Sequence, residues 1–172
     1  SAGELPSAAT EPPFVPRVEI AQVGTQAFRV AVVRPRNFVR GRKYPVLVDV
    51  YGGPHHSQVM SMAGRYMIDQ WLADHGFIVF LADGRGTPNR GASWERAISG
   101  NFGDIPLDDQ VEALRLAGQR FPEMDTSRVG IFGWSFGGYM SALAVLRRPD
   151  VFSVGVAGAP VVDWHDYDTC YT

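Results

Sequence analysis

Gly133-Trp134-Ser135-Phe136-Gly137 constrains this 172-residue chain more than any other stretch. It lies between the apolar run Arg128-Val129-Gly130-Ile131-Phe132 and an Ala/Leu-rich run starting at Gly138, so it reads as strand, sharp turn and helix with a serine at the apex. A turn of this kind strains the backbone of its apex residue. The residues two before and two after must also lack bulk, because strand and helix nearly touch there. Gly133 and Gly137 meet that demand. Gly and Ser are common residues, and it is the strand and helix on either side that lift this match above an accidental one.

The rest of the chain supplies the layers that such a turn needs. Ser1 to Pro16 is rich in Ala, Pro, Ser and Glu without apolar periodicity, and residues 1–17 are expected to form a weakly packed linker or arm. Val18 to Val23 and Ala27 to Val33 alternate apolar and polar around Gly24-Thr25-Gln26, which predicts an antiparallel pair. Pro45 to Val50 and Phe77 to Leu81 are apolar runs of the kind found in strands covered on both faces. A helix is expected between Arg65 and Asp74 on the spacing of Ile68, Trp71 and Leu72, with Gly76 as its C-terminal cap. Trp94 to Ile98 reads as a short helix. A longer one is expected to open at Pro106, with Asp108 and Asp109 in its first turn and Val111, Leu114 and Leu116 facing inward. Strand 128–132, the elbow, a helix to about Arg147 and strand Val154 to Gly158 complete the order. Strands alternating with helices after an initial hairpin predict an α/β fold with a mostly parallel sheet, whose ligands bind beyond the carboxyl ends of the strands.

At 45% hydrophobic and 20% charged, the chain has the composition of one globular core. Its formal charge of −2 gives no field favouring nucleic acid, and no apolar stretch approaches bilayer-spanning length. One cysteine, Cys170, leaves no internal disulfide and no cysteine-ligated metal site, and neither cofactor nor metal is expected.

Ser135 is almost wholly protonated at neutral pH, so nucleophilic work would require a base, an orienting acid and a cradle for the developing oxyanion. The backbone N–H of Phe136 is one donor for that cradle. The loop Tyr51-Gly52-Gly53 offers a second, the Tyr51 hydroxyl, which can reach over two glycines that carry no side chain. In α/β-hydrolases the acid and then the histidine follow the serine. Downstream of Ser135 the only histidine is His165, crowded among Asp163, Asp166 and Asp168 on a segment directly after a strand. That placement does not suit a base brought in from a separate loop. The triad Asp and His are therefore expected outside this chain. Residues 18–172 would then be the N-terminal part of a catalytic domain, with a sheet edge exposed where a further strand would pair.

Asp49-Val50-Tyr51-Gly52-Gly53-Pro54, Asp83-Gly84-Arg85-Gly86, Gly133 to Tyr139, and Ala159-Pro160-Val161 with Trp164, Tyr167-Asp168 and Tyr171-Thr172 together resemble the prolyl oligopeptidase family of serine peptidases, in particular its dipeptidyl-peptidase IV branch. The resemblance implies an α/β-hydrolase fold, Ser135 as nucleophile, and an oxyanion hole made by Tyr51 and the Phe136 N–H. It also implies that Phe136, Val161, Trp164, Tyr167 and Tyr171 line a pocket for a proline or alanine side chain. Trp164, Tyr167 and Tyr171 are spaced at three and four, so a helix would put their rings on one face.

The expected activity is release of N-terminal dipeptides after a penultimate Pro or Ala. The implied partners are a peptide substrate, a preceding β-propeller, the segment bearing the acid and base, and a second copy of the chain as a candidate homodimer. An acylaminoacyl peptidase or esterase of the same fold is the alternative, and a non-catalytic binding module that keeps the elbow is a further one.

Overall fold

The computed structural model describes residues 8, 10 and 12–169. Six strands form one sheet in the order β1-β2-β4-β3-β5-β6: β1 Val18–Val23, β2 Phe28–Val33, β3 Tyr44–Asp49, β4 Ile78–Asp83, β5 Met124–Trp134 and β6 Val154–Gly158. β1 pairs antiparallel with β2 and β2 antiparallel with β4, while β3 to β6 run parallel. The α/β fold with a leading hairpin is therefore as the sequence implies. The hairpin turn takes in Ala27, whose φ of 51° and N–H bond to Gly24 O put it outside the strand.

Period-two alternation divides the apolar residues between two cores. Phe28, Val30 and Val32 of β2 and Ile78, Phe80 and Ala82 of β4 face one side, while Ala31, Val33, Val79 and Leu81 face the other. The larger core is closed by α3 (Asp104–Arg120) through Leu107, Ala113, Leu114 and Ala117, and by α4 (Phe136–Arg147) through Phe136, Met140 and Ala144. α1 (Met67–Asp74) closes the smaller one through Ala73, together with Tyr66 just before it. β4 is buried along its whole length. β3 is not: Val46 and Val48 are buried, whereas Pro45, Leu47 and Asp49 on its other face are half-buried. β1 and β6 are the edge strands, and β6 leaves Val154 60% and Val156 64% exposed.

Several local expectations need correction. α1 exposes Ile68 and Trp71 and buries Asp69 and Gln70 instead. For Gln70 the reason is hydrogen bonding: its Oε1 accepts from Arg17 N–H at 2.6 Å, and its Nε2 donates to Arg34 O at 2.9 Å, which ties the helix to the strand ends. α3 opens at Asp104, so Asp109 lies past its first turn. Asp109 is buried and takes the Arg85 backbone N–H at 2.7 Å and the Arg85 guanidinium at 2.6 Å, fastening the loop after β4. β5 begins at Met124, because the ladder to β3 starts there and is interrupted by a register shift between Pro45 and Val46. Gly76 does cap α1, with φ 102° and its N–H bonded to Ala73 O. The arm is better packed at its end than expected: Pro16 is buried and the Arg36 guanidinium lies 4.3 Å from the Phe14 ring centroid. Among the described residues no helix is long and apolar enough to cross a membrane.

Candidate active site

Ser135 stands where β5 becomes α4, with φ 59° and ψ −117°, a conformation that only glycine adopts without strain. Its N–H donates to Gly158 O at 2.9 Å, and its carbonyl accepts from Tyr139 N–H at 3.0 Å to open the helix. The flanking glycines are required by contact. A Cβ on either Gly133 or Gly137 would overlap the Val50 carbonyl oxygen, and one on Gly138 would overlap the Gly158 carbonyl oxygen. The chain just past β3 thus runs through the elbow. Ser135 remains half-buried and open to solvent. Phe136 is the first residue of α4, so its N–H is one of those an α-helix leaves without an internal acceptor.

Tyr51 leaves β3 directly beside this turn, since Val50 N–H still bonds Phe132 O at 2.9 Å. Its ring lies 5.8 Å from that of Phe136 and meets the His56 ring edge-on at 4.9 Å. Gly53 is compulsory here too, because a Cβ would stand 2.6 Å from the Phe136 ring. The loop is fastened at its far end by Asp83, at the close of β4, which accepts Gln58 N–H at 2.8 Å and Val59 N–H at 3.2 Å. Burial outweighs those bonds and raises the Asp83 pKa. Behind Tyr51, Arg65 lies 3.7 Å from both Asp49 and the buried Asp69. Burial, then the charge of Asp49, pushes Asp69 up to about 7. Burial and the Arg65 charge lower the pKa of His56.

Phe136 also begins an aromatic cluster. Trp164 packs against Phe136 at 5.7 Å, Tyr139 at 5.3 Å, Phe102 at 5.4 Å and Tyr167 at 5.7 Å between ring centroids. The structure therefore gathers Phe136, Trp164 and Tyr167, with Val161 half-buried on the segment that leads to them. It does so without the expected helix. Trp164–Asp166 is a single 3₁₀ turn capped by Asp163, and Tyr167 is already extended at φ −98°, ψ 168°. Ring packing decides this local shape over the three-and-four spacing. Tyr171 lies outside the described residues. Neither Phe102 nor Tyr139 is among the pocket residues that the sequence implies. Tyr139, three residues after Phe136 on a helix, carries a spacing signal that could have found it; Phe102, in the loop before α3, carries none.

His165 is fully solvated, its side chain 97% exposed. Its backbone N–H and Nδ1 both engage the Asp163 carboxylate at 2.9 Å, bonds that hold the Asp163 pKa below the usual carboxylate range. A cleft of about 940 Å³ lies among Arg34, Phe38, Arg42, Phe121 and Glu123, and none of the candidate residues lines it. Chemically, the candidate site offers a strained, accessible hydroxyl, a helix-end N–H, a phenol ring and an aromatic wall.

The sequence profile of the Prolyl oligopeptidase family matches residues 65–172. Dipeptidyl peptidase 8 of Homo sapiens is 38% identical over 172 residues, covering 98% of this chain and 19% of that protein. Prolyl endopeptidase FAP of Mus musculus is 36% identical over 163 residues, covering 92% of this chain and 21% of that protein. The solved structure of a Bacteroides ovatus protein assigned as a dipeptidyl aminopeptidase IV superposes with a TM-score of 0.81 at 38% identity, covering 90% of this chain and 22% of that one. The chain thus spans roughly a fifth of the length of the curated relatives it matches. With the glycine-framed Ser135 elbow at the carboxyl end of β5 and the matching sheet, these likenesses establish that the chain belongs to the prolyl oligopeptidase family.

Proposed function

We propose that this chain carries the nucleophile half of a serine-type peptidase that releases N-terminal dipeptides after a penultimate Pro or Ala. The Ser135 hydroxyl adds to the scissile carbonyl carbon and gives its proton to a base. The resulting oxyanion is held by the Tyr51 hydroxyl and the Phe136 N–H. Collapse expels the amine of the remaining peptide, which takes the proton, and water then cleaves the acyl-Ser135 ester by the same steps. Phe136, Val161, Trp164 and Tyr167 form the pocket for the proline ring, whose flat apolar faces suit aromatic walls.

The observation that carries this reading is the strained backbone of Ser135, φ 59° and ψ −117°, at an elbow whose next residue shares a wall with Tyr51. Strain of this kind costs about 1–3 kcal/mol and persists where it serves a function. The base and its orienting acid are contributed by sequence following Thr172, because His165 is solvated and engaged with Asp163 in its own loop. A preceding β-propeller, with residues 1–17 as the link to it, would hold the free amino terminus of the substrate.

The test uses the complete gene product. A fluorophosphonate probe should label it at Ser135 and fail to label a Ser135→Ala variant, and an Ala-Pro chromogenic substrate should be cleaved faster than its N-acylated form. Absence of labelling would favour a non-catalytic binding module; preference for the blocked substrate would favour an acylaminoacyl peptidase. The isolated 172-residue chain should turn over no prolyl substrate, and turnover abolished by His165→Ala would relocate the base.

A further inference from the structure

The loop from Tyr51 to Gln58 is closed on itself by one side chain. Gln58 is 5% exposed, and its Oε1 accepts the Tyr51 backbone N–H at 2.8 Å while its Nε2 donates to Asp49 Oδ1 at 3.0 Å. The amide orientation is fixed by these partners, since only the oxygen can accept from Tyr51 and only the nitrogen can donate to Asp49. Gln58 is itself immobilised, because its own N–H and that of Val59 are both taken by Asp83. A rigid path therefore runs from the end of β4, through Asp83 and Gln58, to the backbone of Tyr51. An apolar side chain of similar length would fill the same space but would take the acceptor from the Tyr51 N–H and the donor from Asp49. What the amide adds is the position of Tyr51.

We propose that Gln58 is a positioning residue for acyl transfer: it pins the backbone of Tyr51 between Asp49 and the end of β4, so that the phenol stands where the oxyanion develops. This rests on the reading of Tyr51 as an oxyanion donor. A preorganised donor acts only if it is in place before charge develops, and displacement by about 1 Å can cost on the order of 100-fold in rate. Gln58 acts through Tyr51, so its loss should appear in kcat and should depend on whether the Tyr51 hydroxyl is present.

A double-mutant cycle in the complete gene product, followed with a free-amino Ala-Pro chromogenic substrate, tests this. Tyr51→Phe should lower kcat by roughly 100- to 1,000-fold. Gln58→Met should lower kcat by about 10- to 100-fold with KM changed less than about threefold. On the Tyr51→Phe background, Gln58→Met should cost less than about threefold more. An equal loss from Gln58→Met on both backgrounds, or no loss in a protein that unfolds cooperatively, overturns the role of Gln58 and leaves the Tyr51 reading intact. A Tyr51→Phe variant with unchanged kcat, alongside an inactive Ser135→Ala, sinks the Tyr51 reading itself.

If Gln58→Met does not fold, Gln58→Glu carries the same cycle. Its carboxylate still accepts from Tyr51 but repels Asp49, and the activity ratio to the parent should rise as the introduced carboxyl protonates and regains a donor. A pH-independent ratio overturns the proposal.

Discussion

The Val50 carbonyl oxygen occupies the space that a Cβ on Gly137 would need. Because Gly137 lies in the first turn of α4, Gly137→Ala should on helix propensity alone stabilise the protein by about 1 kcal/mol. The clash is with backbone that is itself held by the β5 ladder, so we expect the opposite sign, a loss of about 3 kcal/mol or more. Thermal unfolding decides it, since a raised midpoint contradicts the contact.

Ser135 pays in strain for its place at the apex. Ser135→Gly should therefore be more stable than Ser135→Ala by about 1 kcal/mol, both lacking the hydroxyl. Denaturant unfolding of the two variants side by side is sufficient, and equal midpoints would mean that φ 59° is not maintained in solution.

Asp69 predicts a pH dependence. Its pKa of about 7 in the folded chain lies above the ordinary 3.8, so between those values the folded state keeps a proton that the unfolded state has released. Stability from this group is complete below the lower value, falls as pH rises toward the upper one, and is level beyond it. Asp69→Asn should remove that slope and stabilise the protein at pH ~8 by on the order of 2 kcal/mol, with little effect at pH ~4. Urea unfolding at both pH values checks this; a benefit of equal size at both would exclude Asp69 as the source.

Trp164 touches four other rings, so Trp164→Ala should open the wall next to Phe136 rather than disturb Ser135. On the proposed reading, cleavage of an Ala-Pro substrate by the complete gene product should fall roughly tenfold more than cleavage of an Ala-Ala substrate, the scale of a lost apolar pocket contact. Fluorophosphonate labelling of Ser135 should persist. Unchanged selectivity would place the proline pocket elsewhere.

Much of the sheet could be read from the sequence because its signals are local. β4 is an unbroken apolar run, the hairpin alternates, and glycines stand where the chain just past β3 crosses the elbow. Tyr51 and Phe136 could be paired because both follow strand ends directly. What escaped was decided by distant partners. Asp69 and Gln70 turn inward in place of Ile68 and Trp71, and Gln70 does so to meet Arg17 and Arg34, which lie 53 and 36 residues away. Asp109 sits where sequence spacing predicts a dipole partner, and Arg85 claims it instead. Phe102 joins Trp164 across a loop that no periodicity marks.

The bond from Ser135 N–H to Gly158 O makes the candidate nucleophile the last rung of the ladder between β5 and β6. This edge strand of the sheet is thus a reporter on the serine: fraying at the end of β6 would be registered as faster amide exchange at Ser135. Anything that stiffens that edge would sharpen the aim of the hydroxyl from the side opposite Tyr51's loop.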